Sequence, residues 1–398
     1  MNYPLAMEIQ FLCVTPAFVG NAHQQAELRP QSLKGILRSW YRAVGADLVT
    51  GDKGGADEDR LWGGAGDGYG QSRVLLRVIN RKKPQIWRWQ KDLFRDFSSG
   101  SGKHLINGAW YLGYPFGMKG NDLRTALAAG TMFTLQAVIP RPGDFDTREI
   151  NSVLACFWLL AQFGSFGSRC RRGFGSLQAM GWSLASAGEN PLWTNRFSLL
   201  PEPGKANSPK EWRQQVEQGL AVIHDWCGSF PASCAHPHIG PDFHPILLQG
   251  YTSWQEALAR AGERMQRFRR RRQPDYQRVR DLLADFDRSD HQAPERAEFG
   301  LPLTFRFTSG SNRGPVRVLP LRYHEKANLS NRFASLLYLR VIRLGIRYHP
   351  QMFLFNGMVP GLDTGVGAMF RGRHTSLEPA SHSALDEFYQ QMTSESIV

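Results

Sequence analysis

Three things are scarce in this sequence, and each scarcity closes a route. Cysteine is rare and scattered: Cys13, Cys156, Cys170, Cys227 and Cys234 are the only five in 398 residues, and no two form a C-x-x-C pair. That spacing argues against a disulfide framework and places the chain in a reducing cytoplasm. Long apolar runs are missing as well. The longest, Val153–Ala161, is too short to cross a bilayer, and the first residues lack the basic-then-apolar pattern of a signal peptide. Acid is the third shortage, with 35 Asp and Glu against 48 Lys and Arg, a net charge of +13. No acid stands between Glu149 and Glu189, and Glu325 is the only one from Phe299 to Leu362. Such an excess favours a polyanionic partner, RNA or DNA before an acidic membrane.

Familiar catalytic patterns are also lacking. There is no Walker loop, no G-x-G-x-x-G after a strand, no Ser-His-Asp order and no paired carboxylate. His236, His238 and His244 lie loosely among prolines without the companions of a zinc site, and are expected to be surface histidines. His23 and His104 fall in predicted loops and are the only candidates for a general base in RNA cleavage, with no partner group for either. The expectation is therefore a non-catalytic protein without metal or cofactor.

What is present is a chain of 42% hydrophobic residues, enough for two or three cores at ~150 residues per domain. Residues Ala6–Val14 read as a strand, Gln31–Val44 as a helix opened by Pro30, Val74–Ile79 and Met132–Ile139 as strands. Thr147–Phe163 reads as a buried helix and Phe174–Trp182 as a returning strand. The order βαββαβ is the split unit of ferredoxin-like and RRM-like domains. Long insertions interrupt it at Gly45–Ser72 and Arg81–Gly130. Pro191–Pro209 resembles a linker. Helices follow at Pro209–Trp226 and after the capping box Ser253–Glu256. A second sheet is expected from Leu301–Phe307, Val316–Leu321, Leu336–Arg343 and Met352–Phe355, and a last helix near Ser383–Met392.

The most informative segment is a basic glycine loop after the buried helix, Gly164–Ser176. Arg169, Arg171 and Arg172 stand there among Gly167, Ser168 and Gly173, flanked by Phe166 and Phe174. Glycine lets backbone N–H groups approach a ligand. Arginine presents a fork that fits phosphate, and aromatic rings stack on unpaired bases. A second basic feature is the first helix, where Lys34, Arg38 and Arg42 recur every fourth residue opposite the apolar stripe Leu33, Ile36, Leu37, Trp40 and Val44, with Arg29 just before it. Helical spacing makes that a cationic ridge. On charge alone it reads as a solvated face; its expected place beside the loop gives it weight. A third is the alternation of arginines with apolar residues from Arg306 to Arg347, a possible basic sheet face, with pairing to acids elsewhere equally open.

The phrase Glu27–Arg42 (ELRPQSLKGILRSWYR) followed by Gly167–Gly175 (GSRCRRGFG) resembles the RAMP superfamily of CRISPR proteins, most closely the first-subunit group of type III-B Cmr effector complexes. Thr15-Pro16, Leu61-Trp-Gly63, Ser72-Arg73, Arg296–Pro302 and Arg332–Ser335 carry the likeness across most of the chain. Cys170 departs from a common small hydroxyl residue and Leu336 from a common proline. The resemblance implies an α+β chain of two tandem ferredoxin-like domains with insertions, 1–190 and 191–398. It implies binding of CRISPR RNA toward its 3′ end, help in capturing target RNA, and assembly with other Cmr subunits, with target cutting left to a different subunit. Arg29, Lys34, Arg38, Arg42 and the loop residues Gly167, Ser168, Arg169, Arg171, Arg172, Gly173 and Phe174 are the expected RNA-binding set, and a metal-independent RAMP endoribonuclease is the alternative.

Overall fold

The computed structural model describes residues 3–398 except 46–53, 65–69, 81, 91, 93, 101–104, 119–123, 187–189, 228–235, 241, 287, 289, 308–313, 321–331, 360, 364 and 381–382. His104 lies outside the described residues. The architecture is α+β.

The first half runs β1 (Leu5–Cys13), α1 (Pro30–Ala43), α2 (Gly54–Trp62), β2 (Leu75–Ile79), β3 (Ile86–Arg88), α3 (Gly108–Gly113), β4 (Thr125–Leu127), β5 (Met132–Ile139), α4 (Thr147–Phe163) and β6 (Leu177–Ser186). Strand β1 alternates buried and half-buried residues along its length, as a strand with one face on the core must. It pairs antiparallel with both β5 and β6, and β2 pairs with β5. The sheet order is β2-β5-β1-β6, with α1 and α4 packed on each other. Pro30 opens α1 at a position whose N–H needs no partner. A capping box of Asp146 and Glu149 opens α4, which is buried from Ile150 to Phe163. Strand β6 begins at Leu177, three residues later than expected from Phe174, because Gly173 and Gly175 take positive φ and keep the chain in turns.

The segment read as a linker is not one. It forms helix α5 (Pro191–Phe197), whose Trp193 is buried and donates Nε1–H to the Pro142 carbonyl at 3.1 Å. After it come α6 (Pro209–Cys227), β7 (Ile246–Leu247), α7 (Trp254–Arg271), α8 (Gln273–Ala284), β8 (Leu303–Phe307), β9 (Gly314–Pro320), β10 (Leu337–Leu344), β11 (Arg347–Leu354), β12 (Val366–Phe370), β13 (Arg373–Leu377) and α9 (Ala384–Ser394).

The strands expected to share one second sheet divide between two. β10, β11 and β7 form one sheet, and β13, β12, β9 and β8 form the other. β10 turns back at Gly345, φ +55°, to pair with β11, so its edge is not offered to β9, which takes β12 instead. The arginine alternation therefore makes no single basic face. Arg306 and Arg317 lie in one sheet; Arg340 and Arg343 lie in the other, and Arg313, Arg322 and Lys326 lie outside the described residues. Arg340 is 1% exposed and donates to the carbonyls of Gln162 and Leu177 in the first half. The main core draws on both halves, from Leu5 to Met392. The β8–β9–β12–β13 sheet has a smaller core of its own with α8, around Val279, Leu282, Phe286, Val316 and Phe370.

Candidate nucleic-acid interface

The loop Gly164–Ser176 joins α4 to β6 and is stitched in place by its backbone. Ser168 N–H donates to Phe18 O and Gly175 N–H to Pro16 O, both at 2.9 Å. Thr15 Oγ1 donates to Gly173 O at 2.7 Å. On the other side Arg172 bridges Leu339 of β10. Gly167, Gly173 and Gly175 take positive φ, and so does Arg169 at +63°. A Cβ on Gly175 would strike Phe166 O, and one on Gly173 would strike Leu258. These glycines serve close packing of protein against protein, which corrects the expectation that they open the backbone to a ligand. Phe166 and Phe174 are fully buried, Phe174 against Phe18, Trp89 and Phe116, so neither stacks on a base.

Each loop arginine spends part of its fork on the protein. Arg169 Nε donates to Leu112 O at 2.7 Å, Arg171 to Ser335 O and Arg172 to Phe299 O. Arg171 also lies 4.6 Å over the Tyr338 ring. Among the described residues no acid offsets this group. Burial, and after it the Arg169 charge, pull Arg172 down to about 9. Burial also lowers Arg169, with Arg269 and Arg332 adding repulsion. Arg172 NH1 and Arg269 Nε are buried donors without an acceptor. An unsatisfied buried charged donor costs a few kcal/mol.

Arg269 and Arg332 were missed as members of this cluster. Arg269 stands in the run Arg269–Arg272 at the C-terminal end of α7, where cations suit the helix dipole, but it donates to Tyr111 Oη at 2.6 Å and lies 5.5 Å over Phe299. The run of four arginines was the available signal; only the packing of α7 on α3 separates its members.

The α1 ridge is a different case. Arg38 pairs with Glu58 and, at 2.7 Å, with Asp59; Arg42 pairs with Glu58 at 2.6 Å. Both acids come from α2, inside the first insertion, and Glu58 is 4% exposed. The cationic ridge is thus largely neutralised, a correction that spacing within α1 could not supply. Lys34, lowered by burial and by Arg38, remains on the wall of a cavity of about 680 Å³ with Gln31, Asp59 and Ser72. Arg29 donates to Gly20 O at 2.7 Å.

A second cavity of about 350 Å³ separates α1 from the loop and is lined by Gly35, Ser39, Ser165, Arg171 and His236. The helix and the loop are thus neighbours. A Cβ on Gly35 would meet nothing within 4 Å. Of the three clustered histidines, His238 is 5% exposed, not at the surface as expected, because His238 N–H pairs with Asn356 O at 2.9 Å. His23 is exposed in a turn. Among the described residues no three His, Cys, Asp or Glu could hold a metal ion, and no helix is long and apolar enough to cross a membrane.

Residues 10–178 match the family model of the RAMP superfamily. Among curated proteins, CRISPR system Cmr subunit Cmr1-2 of Pyrococcus furiosus is 27% identical over 183 residues, covering 42% of this chain and 90% of that protein. Among solved structures, apo Cmr1 from Pyrococcus furiosus superposes with a TM-score of 0.57 at 18% identity, covering 98% of this chain and 97% of that one. A chain of the type III-B Cmr-beta complex bound to cognate target RNA gives 0.54 at 11% identity, over 97% and 99%. At these identities the structural likeness is one of fold.

Proposed function

We propose, from a chain that resembles the RAMP superfamily and the first Cmr subunit of type III-B effector complexes, that this protein is an RNA-binding subunit of such a complex. It would hold the 3′ region of a CRISPR RNA, help capture target RNA, and act in the cytoplasm beside other Cmr subunits. The observation that carries the reading is the arginine cluster: half-buried Arg169, Arg171, Arg172 and Arg269 with exposed Arg332, close enough to repel one another, with no acid among the groups acting on Arg169 and Arg172. Phosphate contacts position a strand without specifying its sequence, which leaves sequence choice to base pairing.

The reading includes two ferredoxin-like units, 1–190 and 191–398. The order β2-β5-β1-β6 supports the first. For the second, β10-β11-β7 is extended on its β7 side by Ile397, whose N–H donates to Leu247 O at 2.9 Å. The β8–β9–β12–β13 sheet would then be an insertion.

The test is RNA binding across a salt series. Replacing Arg169, Arg171 and Arg172 together by alanine should weaken binding to all sequences alike and flatten the log–log salt slope by about 0.7 per lost phosphate contact. Because those side chains also hold the protein together, exposed Arg332→Ala is the companion variant, expected to flatten the slope with folding unchanged. Unchanged affinity and slope in both would refute the reading.

The alternative, a metal-independent endoribonuclease, has one observation in its favour: His236 lines the cavity that Arg171 also lines. Purified protein should leave end-labelled repeat and target RNA intact, with or without divalent metal. Cleavage that is lost in His236→Ala would reverse the assignment.

A further inference from the structure

The aromatic residues expected to stack on bases are buried, yet the structure exposes two others beside the same arginines. Trp110 is 39% exposed and Tyr114 44% exposed. They stand one helical turn apart on α3 and its continuation, with ring centroids 5.9 Å apart and planes at 54°. Leu105 and Met118, before and after them in the chain, are exposed as well. Soluble proteins usually turn such residues inward, and a strip of them marks a contact site.

The strip is held rigidly. Asn107 accepts from Trp110 N–H at 2.9 Å and donates to Phe94 O at the same distance. Gly108 meets Gly262 of α7 so closely that a Cβ on either would strike the other's backbone. Leu112 is fully buried beneath. Holding an aromatic ring in place before a ligand arrives lowers the cost of binding.

The surroundings are cationic. Arg169 donates to Leu112 O, between the two exposed rings in sequence, and the Tyr114 phenol acts on the Arg169 charge. Arg269 is bonded to Tyr111 Oη, and Arg270 donates to Leu105 O at 3.3 Å. A flat apolar surface bordered by arginine suits a ligand that is itself flat beside an anion. An unpaired nucleotide is that ligand, its base on the ring and its phosphate on the cations.

We propose that Trp110 and Tyr114 form a stacking platform for an unpaired base of single-stranded RNA whose phosphates lie on the Arg169–Arg269 side. The inference rests on the RNA-binding reading above and adds to it a base-dependent contact.

The test uses the full chain and three probes of equal length: oligo(rA), oligo(rU) and an abasic ribose-phosphate oligomer, each with an end label read by fluorescence anisotropy. Trp110→Ala should weaken oligo(rA) roughly tenfold, at the scale of one lost base–aromatic stack. It should leave the abasic oligomer and the salt slope unchanged, and Trp110→Phe should restore most of the loss. Photo-crosslinking of wild-type protein to RNA carrying 4-thiouridine covers the case of a poorly folded variant, with adducts expected in the peptide 105–118. The platform is refuted if Trp110→Ala binds oligo(rA) like the wild type or if adducts form only elsewhere. It is also refuted if Trp110→Ala breaks contact with another subunit while RNA affinity stays the same, since that marks a protein contact. Failure of the wild type to bind even the abasic oligomer would instead remove the arginine cluster reading.

Discussion

The α1 ridge and the glycine loop carry three cations each in the sequence, and they come to opposite ends in the structure. On the ridge, Arg38 and Arg42 are bound to Glu58 and Asp59, supplied by an insertion that packs alongside. In the loop, Arg169, Arg171 and Arg172 meet carbonyl oxygens, the Tyr338 side chain and one another, and none forms an ion pair among the described residues. A guanidinium on a carboxylate has met its need for negative charge; one on a carbonyl has not. Which basic segment remains open to phosphate is decided by what the fold brings against it.

The largest test of that contrast is Gly175→Ala. Its φ of +66° and the Phe166 carbonyl at the Cβ position leave no room. Destabilisation of about 3 kcal/mol or more is expected in urea unfolding, together with loss of RNA binding, whereas Gly35→Ala inside α1, which meets open space, should stabilise by about 0.5–1 kcal/mol. Next is Glu58→Gln, which strips the ridge of its main anion. Stability should fall by about 2 kcal/mol, below the range for a fully buried pair because Arg42 is 43% exposed. RNA affinity should rise with a steeper salt dependence, since the ridge then behaves as the loop does. The converse is Ser168→Glu, an acid placed on the exposed residue of the loop. It should weaken RNA binding at low salt by about tenfold, with unfolding free energy within ~0.5 kcal/mol of wild type. A rise in affinity would break the comparison.

The smallest effect is on pH. His236 beside the loop and His349 in the core are both held below the ordinary value of 6.5 by burial. Below 6.5 the unfolded chain takes up protons before the folded one does, so stability falls as pH drops through 6.5 and on toward the lower folded values. The urea midpoint should be flat from pH 8 to 7 and decline toward pH 5.5, less so in His349→Gln. Affinity for RNA should move the other way over the same window, because protonated His236 adds a cation near Arg171.

Much of the first half was legible in the chain. Alternation over Leu5–Cys13 and Met132–Ile139 and the acid-capped apolar helix at Thr147–Phe163 are local patterns that tertiary contacts reinforce. The second half was less so. β8, β9, β10 and β11 look alike as strands, and nothing local says that β10 leaves its predecessors. α5 hid in a stretch bounded by prolines, though Pro191 opens it at the first helical turn. At the candidate site the loop arginines stood out by composition. Arg269 and Trp110 did not, because one belongs to an arginine run and the other to an insertion rich in aromatics. Glu58 was in plain view, but only folding lays α2 on α1.

Arg340 sets an order of events during synthesis. Its guanidinium satisfies the carbonyls of Gln162 and Leu177, yet it lies 163 residues downstream of Leu177. At about 5–20 residues per second a ribosome needs roughly 8 to 30 s to make that stretch. Until then the nascent first half carries acceptors without their donor and leaves β6 without its contacts to β10. A stalled or truncated product is thus a natural client for a holding chaperone.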